Sequence, residues 1–181
     1  MHRYVGGLRS FRLAPLVDRA VPIDLSPALC EGIARLSDEL NGLRAALPPP
    51  SLHRVWRPIA ASVDEHLYTQ LVRRAAFSGG GVAQLLRDVR ALSALFGPLG
   101  AAPEAALRRL HESCKLLALP RPTRQALAEA LLSETPPGSQ RREHEEGLRR
   151  RLEEHGVYRT SFGEAAEILD SVHESEEGVA L

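Results

Sequence analysis

The residues of this chain best suited to hold a metal are its seven histidines and two cysteines. None of His2, His53, His66, His111, His144, His155 and His173 belongs to an H-E-x-x-H pair, the spacing that puts two ligands on one helical face. His111 and Cys114 lie three apart and share a face. They lack the further ligands that complete a tetrahedral site, so the expected arrangement is a half-buried histidine beside a core cysteine, with no metal. Cys30 and Cys114 form neither a metal spacing nor a disulfide framework, as in a reduced cytosolic setting. The run Gly79-Gly80-Gly81 before a helix could offer backbone N–H groups to an anion, but it has no Lys-Ser/Thr and no preceding strand. It reads as a place where two helices reverse direction closely, with Gly80 and Gly81 giving close packing or positive φ. There is no G-x-S-x-G elbow. Asp64 and Glu65 are adjacent, so on a helix their side chains diverge instead of forming a carboxylate pair. Asp170, Ser171 and His173 are too close in sequence to build a triad. Arg149-Arg150-Arg151 is balanced by Glu145, Glu146, Glu153 and Glu154 and reads as a solvated face. The expectation is a protein with no catalytic residues, no metal and no cofactor.

Composition points the same way. The chain has 181 residues, about one domain's worth, 44% hydrophobic and 25% charged. Lys+Arg and Asp+Glu are 23 each, a net charge of +0. A dedicated nucleic-acid binder or a polybasic membrane anchor would be basic. Aromatic residues at 4% leave little for stacking on single strands. No run of apolar residues reaches the roughly 18 of a membrane span, and the N-terminus has no apolar core of a signal peptide.

The elements that must position these residues are helices. Residues 1–24 form an irregular lead-in broken by Gly6, Gly7, Pro15 and Pro22. Ser26 and Pro27 then open the clearest helix, with Leu29, Ile33, Leu36, Leu40, Leu43 and Leu47 at steps of 4, 3, 4, 3, 4. Such a stripe could receive a partner helix, but core is its ordinary use. A second helix starts at Ser51 or Pro58 and runs to Ala76, where the Ser78–Gly81 run stops it. A third spans Val82 to Phe96, a fourth starts near Pro103 and carries Leu107, Leu110, Cys114 and Leu117, and a fifth follows Thr123. Residues 135–140 form a loop. A charged, largely exposed helix with Leu148 and Leu152 follows, and the last helix is announced by the capping box Ser161–Glu164 and carries Ala165, Ile168, Leu169 and Val172. Residues 25–134 are the main bundle, 141–173 the C-terminal helices and 174–181 an acidic tail, in one structural domain. No segment alternates at period two for long enough to be a strand. The fold class is all-α, an antiparallel bundle of about six or seven helices.

Several segments, in order, resemble a known family. Phe77-Ser78-Gly79-Gly80-Gly81-Val82-Ala83-Gln84-Leu85, followed by Asp88, resembles the Phe-x-x-Gly-Gly-Ala-Ala-Gln-Leu-x-x-Asp segment of the RINT/TIP family of vesicle-tethering subunits. Phe77, Gly80, Gly81, Ala83, Gln84, Leu85 and Asp88 match, and Val82 replaces the usual alanine. Val55-Trp56 and Asp64-Glu65-His66-Leu67-Tyr68 are similar to the family's Trp-x-x-Leu-Ala and Leu-Asp-x-Tyr-Ile-Tyr helix. Leu92–Phe96 is similar to its Leu-Phe-x-Leu-Phe ending, one residue shorter. Leu107–Leu119 resembles the helix with Ile-Lys-Glu-Ala-Cys, Cys114 standing at the cysteine. Leu152, Gly156-Val157-Tyr158-Arg159, Glu164, Ile168 and Leu169 resemble Leu-x-x-x-Gly-Ile-Tyr-Lys and the following Asp-Val-x-x-Leu-Leu.

The resemblance covers most of residues 50–172 and implies the C-terminal portion of a much longer protein. It implies a CATCHR-type helical rod, related to exocyst and COG subunits, in the NRZ/Dsl tethering complex. Such a subunit lies on the cytoplasmic face of the endoplasmic reticulum as a peripheral membrane protein. It captures vesicles returning from the Golgi, by binding other tethering subunits and SNARE proteins. The same family association also implies an alternative role as an adaptor in the DNA-damage G2/M checkpoint. The family is not enzymatic; an enzyme on a helical scaffold is the remote third reading. The positions carried over, as structural or interaction residues, are Trp56, Asp64, Tyr68, Phe77, Gly80, Gly81, Gln84, Leu85, Asp88, Cys114, Gly156 and Tyr158.

Overall fold

The computed structural model describes residues 25–173, apart from 101, 135 and 139. The lead-in 1–24 and the acidic tail 174–181 expected from the sequence lie outside the described residues. The fold is an all-α bundle. Its helices are α1 (Pro27–Ala46), α2 (Pro49–Leu67), α3 (Gly79–Phe96), the single turn α4 (Pro103–Ala106), α5 (Arg108–Leu117), α6 (Arg121–Leu132), α7 (Gln140–Glu154) and α8 (Phe162–Asp170).

Helix α1 follows its stripe: Leu29, Leu36 and Leu40 are buried, and Ile33 and Leu43 pack at the edge of the core. Helix α2 begins earlier than the sequence reading placed it, because Pro49 and Pro50 occupy its first turn, where a missing N–H goes unnoticed. Pro58 therefore lies inside α2. Burial of Leu52, Trp56, Ala60 and Val63 on one side keeps the helix running through it. Ala76 is not helical; α2 passes into a π-helical turn at Tyr68–Val72 that buries Tyr68, Leu71 and Val72.

The glycine run needs a correction. It does not separate two helices but forms the first turn of α3, with Ser78 as N-cap: the Gly81 N–H donates to Ser78 Oγ at 3.1 Å. Positive φ among described glycines occurs only at Gly138 and Gly156, so Gly80 and Gly81 are ordinary helical residues. Gly81 is buried and Gly80 exposed, which leaves close packing as the role of Gly81. Gly81→Val is expected to lower the melting temperature through overpacking of about 1–3 kcal/mol; an unchanged melting temperature would remove the packing argument.

The fourth expected helix is two. The chain breaks at Leu107 (φ −104°, ψ 37°), between α4 and α5. Helix α6 starts at Arg121, with Pro122 in its first turn, not after Thr123. Helix α8 ends at Asp170, so Val172 is not on its face. Val172 instead pairs with Phe77 in an isolated parallel bridge, in which the Phe77 N–H donates to Ser171 O and the His173 N–H to Phe77 O, each at 2.8 Å. The Asp170–His173 segment thus ties the chain's end to the start of α3.

Helix α5 lies at the centre, against α2, α3, α8 and the π turn. Leu107, Leu110, Leu116, Leu152 and Val157 are all fully buried in the core, as is Trp56 on α2.

Candidate functional site

The amino end of α5 is organised by a side chain from another helix. The N–H groups of Arg109 and Leu110 donate to the two Asp64 carboxylate oxygens at 3.0 and 2.9 Å. First-turn N–H groups have no partner within their own helix, and the helix dipole favours an anion there. Asp64 on α2 therefore caps α5 across the bundle, which is why α4 and α5 do not fuse. Burial pushes the Asp64 carboxyl up, while these two donors and the charges of Arg109 and Arg108 pull against it; the net shift is upward. Glu65 points away, as adjacency requires, and pairs with Arg109 at 3.2 Å.

Glu112 does the same for the turn between α7 and α8. It is buried (4% exposed) and accepts from the N–H groups of Tyr158, Arg159 and Thr160 at 2.8–3.2 Å and from Thr160 Oγ1 at 2.6 Å. Three successive backbone N–H groups thus surround one carboxylate. Burial pushes this carboxyl up, but the Thr160, Tyr158 and Arg159 donors outweigh it and hold it below the ordinary range.

The turn itself is set by Gly156. It adopts φ +73°, its N–H donates to Glu153 O at 2.8 Å, and the Val157 N–H donates to Leu152 O at 3.0 Å. These two bonds, with Val157 and Leu152 both fully buried, form a Schellman ending for α7. Lys115 Nζ donates to Gly156 O at 2.8 Å. Arg149 Nη1 donates to Thr160 O at 3.1 Å, and its guanidinium lies 4.9 Å over the Phe162 ring. Arg149 is therefore a fastener of the turn, whereas Arg150 and Arg151 are the solvated face expected of all three. Gly156→Ala is expected to destabilise the fold by about 1–2 kcal/mol, the penalty of a Cβ at positive φ, measurable by urea denaturation.

Between the two carboxylates stands Arg109. It pairs with Glu65 at 3.2 Å and Glu164 at 3.8 Å, and its guanidinium lies 5.0 Å over the Tyr68 ring. Tyr68 is buried and hydrogen-bonds Glu164; burial first, then the Glu164 charge, pushes its hydroxyl up to about 12. Glu164 also completes the capping box, accepting from Ser161 N–H while its own N–H donates to Ser161 Oγ.

His111 and Cys114 do not act together. Ser93 Oγ donates to Val89 O at 2.8 Å and lies 2.8 Å from His111 Nε2. With the hydroxyl proton committed to the carbonyl, Nε2 is the donor in this contact, so the imidazole is not placed as a base toward Ser93. Burial lowers the His111 pKa and pushes the Cys114 thiol up to about 12, a protonated and inert core thiol. Among the described residues no three His, Cys, Asp or Glu side chains converge as metal ligands do.

The remaining carried-over positions are spread through the molecule. Trp56, Phe77 and Leu85 are core residues. Asp88 is buried; its Oδ1 accepts from the Ser26 N–H at 2.8 Å and from Gln84 Nε2 at 2.9 Å, which docks the start of α1 on α3. Asp64, Tyr68, Cys114, Gly156 and Tyr158 gather on or around α5; Trp56, Phe77, Gly80, Gly81, Gln84, Leu85 and Asp88 do not join them. Tyr158 is 59% exposed, one of the two large apolar side chains most open to solvent among the described residues.

This arrangement of remotely capped helices can be compared with known proteins. The sequence pattern of the RINT-1/TIP-1 family matches residues 13–171. The chain belongs to this family. A RINT1-like protein of Drosophila melanogaster is 36% identical over 111 residues, covering 61% of this chain and 15% of that relative. The chain thus spans a small part of the curated relative it matches. No solved structure matches it. Membership in the RINT-1/TIP-1 family fits a role in tethering or trafficking. Among the described residues no helix is long and apolar enough to cross a membrane.

Sequence reasoning passed over Glu112 and Lys115 and took Arg149 for solvated surface. Glu112 stands two residues before Cys114, at the glutamate of the Ile-Lys-Glu-Ala-Cys segment. A signal was therefore present, in the resemblance but not in periodicity. The partners of Glu112 are 46–48 residues away, a distance that no local pattern spans.

Proposed function

We propose that this protein works by protein–protein binding as a subunit of a tethering complex at the endoplasmic reticulum, in retrograde transport from the Golgi. Its partners in this reading are other tethering subunits and ER SNARE proteins, and it attaches to the membrane peripherally, through them. The family match over residues 13–171 carries the reading. Two features of the structure support it. The titratable residues around α5 are occupied in holding backbone, with Asp64, Glu112 and Glu164 each accepting from main-chain donors. These hydrogen bonds hold the backbone beneath that surface in place, which lowers the ordering penalty of binding. The chain acts by binding and not by catalysis.

Proximity labelling tests this. The chain fused to a biotin ligase is expected to label ER tether subunits and ER SNAREs above a cytosolic control. Labelling of nuclear damage-response proteins instead would favour the checkpoint adaptor reading and overturn this one.

A further inference from the structure

Between α5 and the α7–α8 turn lies an open groove of about 400 Å³. Arg108, His111 and Lys115 line it at helical spacing along one face of α5, and Tyr158 and Arg159 line the opposite wall. Two carboxylates also border it. Glu112 has its oxygens taken up by the backbone donors of 158–160 and Thr160 Oγ1. Glu104 is exposed at the rim, near enough to act on His111, whose pKa burial lowers against the pull of Glu104. Three cations thus face one carboxylate with open acceptor sites. Lys115 spends one donor on Gly156 O. The Arg108 and Arg159 guanidiniums are exposed and, among the described residues, take part in no hydrogen bond or ion pair. Asp64 is the carboxylate that Arg108 acts on at longer range.

The walls are held in place. Asp64 fixes the start of α5, and Glu112 fixes the backbone of Tyr158 and Arg159. An aromatic side chain 59% exposed beside two uncommitted guanidiniums, on a backbone hydrogen-bonded to Glu112, is an unfilled binding arrangement. The walled shape suits a chain segment better than a flat bilayer.

We propose that this groove docks an acidic peptide segment of a partner protein, whose carboxylates pair with Arg108, Arg159 and Lys115 while an apolar residue packs on Tyr158. The inference rests on the reading of the chain as a binding subunit but is tested apart from it, since peptide binding in vitro and labelling of ER proteins in cells can fail separately.

The probe is a fluorescein-labelled peptide of glutamates with a central leucine, titrated against the full chain by fluorescence anisotropy, with a glutamine counterpart as control. Binding is expected for the glutamate peptide only, weakening as salt is raised. R108E/R159E is expected to weaken it about tenfold or more, two pairs becoming two repulsions. R54E/R57E, which reverses two exposed arginines on α2, is expected to leave it within about twofold, the residual effect of distant charge. A melting temperature of R108E/R159E equal to wild type shows that the fold is kept; should it fall, Tyr158→Ser supplies the same test and is expected to weaken binding. Equal loss in both double variants would overturn the proposal, as would binding of phosphatidylserine vesicles without binding of the peptide. Peptide binding that emerges only after deletion of residues 174–181 would also overturn it, making the chain's own acidic tail the occupant.

Discussion

Glu112→Ala is expected to lower the stability of the protein by about 3–5 kcal/mol, the scale for removing one partner of a buried charged network. The carboxylate accepts from three consecutive backbone N–H groups and one hydroxyl. Alanine removes all these acceptors at once and leaves donors that the turn cannot reorient, because Gly156 and the α8 capping box fix it on both sides. Glu112→Gln keeps the shape but offers an NH2 group to a ring of donors, so it recovers only part of the loss. Urea denaturation measures both. The pH dependence carries the same signature. The folded carboxyl titrates below its ordinary value of 4.5, so its contribution is fully present above that value and is lost as pH falls through the lower folded one. Wild type is therefore expected to lose stability on acidification more steeply than Glu112→Ala. Parallel pH profiles would show that the carboxylate does not hold the turn.

Trp56→Ala is the second large effect, about 3–5 kcal/mol. Trp56 is fully buried on α2, with ring centroids 6.0 Å from both His53 and Phe96. A Cβ on Gly100 would come within 2.8 Å of its Cζ2, so the backbone after α3 is laid directly on the indole. Truncation opens a cavity beneath that backbone. Among the described residues the buried indole N–H has no hydrogen-bond partner, which offsets part of the ring's contribution. For a chain of this size the loss is about 10 °C in melting temperature. A shift under about 2 °C, less than 1 kcal/mol on the same scale, would mean that the site collapses without penalty.

The helices were legible where one physical rule governs them. The 4, 3 spacing of leucines marks α1, and the Ser161–Glu164 offset marks the start of α8, because both signals are local. The break between α4 and α5 was not legible, because its cause is Asp64, 45 residues earlier in the chain. The glycine run misled for a related reason. Glycine reads as a breaker, yet a serine cap before it and burial of Gly81 make it a first turn. Of the site, Asp64, Tyr68, Cys114, Gly156 and Tyr158 were reached through resemblance. The apolar spacing Leu107, Leu110, Cys114, Leu117 does not include Glu112, and only tertiary structure shows it in the interior.

The reading as a binding subunit is met most directly by reconstitution. The purified chain, mixed with purified tethering subunits and the cytosolic domains of ER SNAREs, is passed over a size-exclusion column, and co-elution is read by mass. A stoichiometric complex with at least one of them is the expected result. A chain that elutes alone from every mixture, with its helical circular dichroism intact, would contradict the reading.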